Sequence, residues 1–99
     1  MRHLSAILAL WAGITACAQA AEPITLGLNY PRTGPYKEEG LAQMRGALLA
    51  IDEINQAGGV LGRPLQLISR NTASRPDKAI ANVDKMADEG VAMLFGGVS

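Results

Sequence analysis

Residues 24–62 read ITLGLNYPRTGPYKEEGLAQMRGALLAIDEINQAGGVLG, and this stretch decides the fold. Ile24-Thr25-Leu26-Gly27-Leu28 alternates large apolar with small residues over the length of a strand. Asn29-Tyr30-Pro31-Arg32-Thr33-Gly34-Pro35 follows, where two prolines and a glycine stop either regular structure and predict a loop. From about Gly40 the period changes. Leu41, Met44, Leu48, Ile51 and Ile54 recur at three- and four-residue steps while Arg45, Asp52, Glu53 and Gln56 fall elsewhere, which predicts a helix with one buried apolar stripe. Gly58-Gly59 supplies the left-handed backbone of a helix C-cap.

The remaining chain repeats the same logic. Val60-Leu61-Gly62-Arg63-Pro64 reads as a turn and Leu65 to Arg70 as a second strand. Ser74-Arg75-Pro76-Asp77 reads as a helix start: a serine cap, a proline in the first turn, and a carboxylate three residues after the serine. Ile80, Val83 and Met86-Ala87 form that helix's inward stripe, and Gly90 ends it. Val91 to Phe95 is an uninterrupted apolar run, as suits a parallel strand buried on both faces.

The order β-α-β-α-β, with helices long enough to be crossovers, predicts an α/β fold: the start of a doubly wound parallel sheet of strand order 2-1-3. In such sheets the ligand crevice opens where the first and third strands part, at their C-terminal ends. Two loops are thereby singled out, Asn29 to Glu39 and Gly96 to Ser99. The unit reads as incomplete, because so apolar a third strand makes a poor sheet edge. A further helix is expected to begin at or just after Ser99.

The first twenty residues read as a leader rather than as part of the domain. Met1-Arg2-His3 is a positive start, Leu4 to Ile14 an apolar run too short for a lasting membrane span, and Ala18-Gln19-Ala20 a small-x-small cleavage site. Ile14-Thr15-Ala16-Cys17 also resembles a lipobox, which makes Cys17 a candidate for lipidation. It is the single cysteine, so no internal disulfide exists. The expected organisation is a signal peptide over 1–20 and a ligand-binding domain portion over 21–99.

Composition excludes several function classes. Without the leader's Arg2, eight Lys/Arg stand against nine Asp/Glu, a net charge of −1 with the signs interspersed. A nucleic-acid partner is not expected. The spacing of Gly34 and Gly40 does not make the glycine fingerprint of a dinucleotide site, no P-loop is present, and the one histidine, His3, lies in the leader. Without His or Cys, a metal site or nucleophile would have to be built from carboxylates, and Glu38-Glu39 and Asp52-Glu53 read as solvated faces. No enzyme activity and no cofactor are expected. Binding suits the residues better: Tyr30, Thr33 and Tyr36 cluster hydroxyls in the first crevice loop. Ser99, with the backbone N–H of Gly97, is placed either to hold a carboxylate at a helix start or simply to cap that helix.

Taken together, the leader, the Thr33-Gly34-Pro35 loop, Gly46-Ala47, the run Ala50-Ile51-Asp52-Glu53-Ile54-Asn55 into Gly58-Gly59-x-x-Gly62-Arg63-Pro64-Leu65, and the closing Gly96-Gly97-Val98-Ser99 resemble the N-terminus of the leucine/isoleucine/valine-binding family. These are periplasmic substrate-binding proteins of type I fold that feed ATP-driven (ABC) importers of amino acids and amides. The resemblance implies two α/β lobes closing on an amino acid or amide, with an inner-membrane permease as partner and a periplasmic location. By position, Ser99 and Gly97 match the family's first-lobe carboxylate site, and Glu39 stands where relatives often present an aromatic ring. A second departure is Asn71-Thr72, where relatives often carry acidic residues. The largest is length: the rest of the first lobe, the hinge and the second lobe are expected beyond Ser99. Two other readings are a ligand-sensing receptor domain, which reuses this fold, and a small α/β enzyme domain.

Overall fold

The computed structural model describes residues 21–97 of the 99-residue chain. Three parallel strands and two helices alternate: β1 (Ile24–Tyr30), α1 (Lys37–Gln56), β2 (Leu65–Asn71), α2 (Pro76–Asp88) and β3 (Met93–Gly96). The strand order is β2-β1-β3, as the crossover pattern predicts. β1 pairs with β2 along its whole length, from Ile24 opposite Leu65 to Tyr30 opposite Asn71. It pairs with β3 over four residues, from Leu26 opposite Met93 to Asn29 opposite Gly96.

The central strand owns the core. Leu28 and Met86 are fully buried, Tyr30 nearly so, and Pro31 continues the buried run beyond the strand. Met86 and Val91 press on the sheet at Gly27, whose missing side chain leaves them room. Asn55 joins α1 to β2: its Oδ1 accepts from Leu65 N–H at 2.7 Å and its Nδ2 donates to Leu65 carbonyl at 2.8 Å. One side chain thus satisfies both backbone groups of a residue next to a turn, where the sheet ladder supplies no partner.

Several sequence expectations need correction. β1 runs on to Tyr30, two residues into the predicted loop, and of the predicted α2 stripe only Met86 is buried, while Ile80, Val83 and Ala87 are exposed and Asn82 is turned inward. α1 begins at Lys37, three residues before Gly40, because Tyr36 takes the cap position and Gly34 carbonyl accepts from Lys37 N–H at 3.2 Å. Glu38 and Glu39 then lie in the first turn, where the helix dipole favours negative charge. The buried stripe of α1 is also rotated: Gly40 is buried and Gln43, Met44, Ala47, Ile51 and Asn55 are half-buried, whereas Leu41, Leu48 and Ile54 are exposed. Gly40 sits directly on the Pro31 carbonyl, and that contact sets which face meets the sheet.

In α2 the cap is Arg75, in extended conformation, not Ser74, although Pro76 does open the helix. Ser74 has φ of 58° and its hydroxyl is engaged elsewhere. β3 starts at Met93 rather than Val91. Val91 instead packs toward Gly27, and Met93 is 61% exposed because β3 lies on the outside of the sheet with no further strand beside it among the described residues.

Candidate functional site

The C-terminal ends of the strands gather three loops, and a small set of polar side chains fixes the first two to one another. Asn71, the last residue of β2, accepts at Oδ1 from Arg32 N–H and from Ala73 N–H, both at 2.8 Å. Its Nδ2 donates to Thr33 Oγ1 at 3.0 Å. Ser74 Oγ donates to Thr33 carbonyl at 2.9 Å and accepts from Tyr36 N–H at 3.1 Å. Thr72 N–H reaches Tyr30 carbonyl at 2.9 Å. The loop after β1 is therefore held by the loop after β2, across a sequence separation of about forty residues.

That clasp sits on strained backbone. Ala73 and Ser74 both have left-handed φ, 54° and 58°, which costs about 1 kcal/mol or more per residue and persists only where surrounding bonds over-determine it. Asn71→Ala removes three of the bonds that do so. It is expected to lower stability by about 1–3 kcal/mol and to speed hydrogen exchange at the Arg32 and Ala73 amides, whereas Asn71→Asp, which keeps both acceptor bonds, is expected to preserve their protection.

A second set joins β1 to α2. Asn29 Nδ2 donates to Ala79 carbonyl at 2.9 Å, and Asn82 Nδ2 donates both to Asn29 Oδ1 and to Asn71 carbonyl at 3.0 Å. Both asparagines are buried, so each amide needs these partners. Beside them opens a cavity of about 260 Å³. Its walls are Asn29 at the end of β1, Thr72 beyond β2, Arg75, Pro76, Ala79 and Ile80 at the start of α2, and Gly97 beyond β3.

The residues singled out from sequence divide accordingly. Thr33 and Tyr36 lie together on the β1–α1 loop, exposed, with Tyr36 showing 45% of its surface. Glu39 is exposed in the first turn of α1. Tyr30 is only 3% exposed, so its ring is part of the core. Gly97 lines the cavity together with Asn29, Thr72 and the start of α2, and none of the first-loop candidates lines it. Ser99 and Cys17 lie outside the described residues. Sequence reasoning missed Asn29, Thr72 and Asn82; their one signal is that polar residues stand at the strand ends and on the inward face of α2, where the period calls for apolar ones.

Charge near the crevice is modest. Arg75 and Asp77 form an exposed ion pair at 2.7 Å, and the hydrogen bond from Arg75 holds the Asp77 carboxyl below its ordinary value of 3.8. A depressed folded-state value adds stability above the ordinary value and loses it as pH falls through the lower one. Both side chains are about two-thirds exposed, so the effect is small. Asp77→Asn is expected to leave the thermal midpoint at pH 7 nearly unchanged and to flatten its dependence on pH below about 4.

No group of three or more potential metal-ligating side chains occurs among the described residues, and these residues include neither His nor Cys. No helix among them is long and apolar enough to cross a membrane. The arrangement holds amide and hydroxyl groups around a crevice and offers no nucleophile with a base beside it.

Such a sheet, with its crevice at the 1–3 strand switch, is that of type I periplasmic binding proteins. The profile of the periplasmic binding protein family matches residues 23–99, and the chain belongs to that family. It is 39% identical over 87 residues to the leucine-, isoleucine-, valine-, threonine-, and alanine-binding protein of Pseudomonas aeruginosa, covering 88% of this chain and 23% of that protein. It is 32% identical over 92 residues to the Leu/Ile/Val-binding protein of Escherichia coli, covering 89% and 25%.

Among solved structures, that of a branched-chain amino acid ABC transporter protein of Silicibacter pomeroyi superposes with a TM-score of 0.73 at 35% identity, over 76% of this chain and 19% of that one. The branched-chain amino acid transporter substrate-binding protein of Streptococcus pneumoniae, solved with isoleucine, gives 0.70 at 29% identity, over 76% and 22%. A fatty acid ABC transporter substrate-binding protein of Thermomonospora curvata gives 0.68 at 29%, over 74% and 18%. The chain spans about a quarter of the length of the curated relatives it matches.

Proposed function

We propose that this chain is the N-terminal part, signal peptide over 1–20 included, of the extracytoplasmic solute-binding component of an ABC importer for branched-chain amino acids or related amides. The observation that carries the reading is the crevice at the strand switch, whose first loop is clasped by Asn71 and Ser74 to the loop after β2 and carries binding groups with no catalytic pair among the described residues. The names of the relatives supply the ligand class.

In this reading the ligand carboxylate is held by Gly97 N–H and Ser99, while the Thr33 and Tyr36 hydroxyls and Glu39 line the approach on the first loop. Tyr30 supports that loop from below. The ligand shifts an open–closed equilibrium of two lobes, and the closed form docks on the inner-membrane permease; no cofactor enters. The protein is periplasmic, and processing at Cys17 in place of Ala20 would tether it by lipid.

The test is made on the protein as recovered, untagged, from its own cell envelope. Intact mass is expected to show a species several times longer than 99 residues, starting at Ala21 or at a lipidated Cys17. Calorimetric titration is expected to show binding of leucine, isoleucine or valine but not of a medium-chain fatty acid. Binding of the fatty acid alone, as the Thermomonospora curvata relative's name would suggest, would overturn the ligand class and leave the family intact.

A further inference from the structure

On the other side of α2 from the cavity, a second cleft of about 280 Å³ opens along β2, one of the two outer strands of the sheet. Arg32, Arg70, Lys78 and Lys85 line it, together with Ser69, Asn71 and the buried Asn82. The described residues hold eight Lys/Arg against nine Asp/Glu, so half of all the positive charge of a weakly negative unit surrounds this one cleft. Among the described residues a single carboxylate answers it: Glu89 pairs with Arg70, while Arg32, Lys78 and Lys85 make no ion pair.

The placement is electrostatically unfavourable unless an anion is present. Like charges brought together around a concave surface repel, and a cleft with protein walls focuses their field more than a flat surface does. Lys78 also stands in the first turn of α2, where the helix dipole already disfavours a cation. A charge guarding an open strand edge would account for Arg70, but not for the other three. Lys78 and Lys85 lie seven residues apart on one helix, a rise of roughly 10 Å, and both line the cleft with Asn82 between them. Four cations around one cleft, only one of them answered by a carboxylate, match a ligand that carries more than a single negative charge better than a monovalent one.

We infer that the cleft formed by Arg32, Arg70, Lys78 and Lys85 is an anion site, separate from the amino-acid crevice, for a ligand bearing more than one phosphate-type oxyanion. Guanidinium forks and lysine point charges are the side chains that recognise phosphate oxygens. The same chemistry is offered by a free diphosphate and by the headgroups of an anionic phospholipid surface.

The inference is independent of the amino-acid reading, and its test reads a different ligand. Inorganic pyrophosphate is titrated calorimetrically into the protein as recovered from its cells, and co-sedimentation is measured with phosphatidylglycerol and phosphatidylcholine vesicles and with polyglutamate. Pyrophosphate is expected to bind, and at least tenfold more weakly in the double variant Lys78→Gln/Lys85→Gln, whose positions are exposed and whose thermal midpoint should not move. Glu89→Gln, which removes the carboxylate at the rim, is expected to tighten binding. Selective loss of phosphatidylglycerol co-sedimentation in the double variant identifies a lipid source; pyrophosphate binding without vesicle binding identifies a free one. Binding to polyglutamate alone, binding to none of the probes, or a double variant within twofold of the parent overturns the inference. Leucine titration of the same variants reports separately on the amino-acid crevice.

Discussion

Gly40→Ala is expected to destabilise the fold by roughly 3 kcal/mol or more, although the substitution lies inside a helix where alanine is ordinarily the better residue. Two effects oppose each other. Helix propensity favours alanine over glycine by about 1 kcal/mol. Against it, a Cβ on Gly40 would stand 1.9 Å from the Pro31 carbonyl oxygen and 2.8 Å from its carbon, distances that no rotamer change can relieve because both partners are backbone. Either α1 lifts from the sheet or the Pro31 loop moves. Each exposes buried surface, since Pro31 is fully buried and Gly40 is the one buried residue of α1.

Gly46→Ala is the control that separates the two effects. Nothing lies within 4 Å of a Cβ there, so propensity acts alone and the variant is expected to gain about 0.5–1 kcal/mol. Chemical denaturation of the two variants beside the parent decides the matter. A Gly40→Ala midpoint at or above that of the parent would show that the α1–Pro31 contact is not close enough to determine the helix's rotation.

The same contact explains what could and could not be read before the structure. Elements and their order follow from local signals: the alternation at Ile24–Leu28, the helical period from Gly40, the glycine pair at Gly58-Gly59 and Pro76 at a helix start all act within a few residues. The 2-1-3 order follows from crossover length and handedness. The rotation of α1 is different, because it is set by a residue without a side chain meeting a carbonyl nine positions earlier.

Ser74 failed as a predicted cap for a related reason. Its local context, Ser-x-Pro-Asp, is a fair capping signal, but its hydroxyl finds Thr33 and Tyr36 once β1 and β2 are paired. That Thr33 and Tyr36 stand on one exposed loop after β1 was legible, because both follow the predicted strand within a few residues. Asn29 and Asn82 were not, since their roles depend on reaching each other across 53 residues. A buried asparagine and a surface one look alike until the packing is known.

The crevice has a second point where backbone meets backbone. Gly96, the last residue of β3, has φ of 124°, and a Cβ there would stand 2.1 Å from the Asn29 carbonyl oxygen. Gly96→Ala therefore combines a backbone strain of about 1–3 kcal/mol with an overpacking cost of about 1–3 kcal/mol. Against a total of about 5–15 kcal/mol for a domain, the sum of roughly 2–6 kcal/mol is a large share. Met93→Ala, in the same strand but 61% exposed, is expected to cost under about 1 kcal/mol.

The two variants also differ in what they do to the site. Asn29 is opposite Gly96 in the register, and its side chain holds Ala79 carbonyl and the Asn82 amide. Displacing β3 at Gly96 pushes on the residue that fastens α2 to the sheet, so both walls of the 260 Å³ cavity move together. Hydrogen exchange at the Asn82 side-chain amide and at backbone amides of the first turn of α2 is expected to accelerate in Gly96→Ala and not in Met93→Ala. Equal acceleration in both would mean that β3 as a whole, rather than the single contact between Gly96 and Asn29, keeps the crevice in shape.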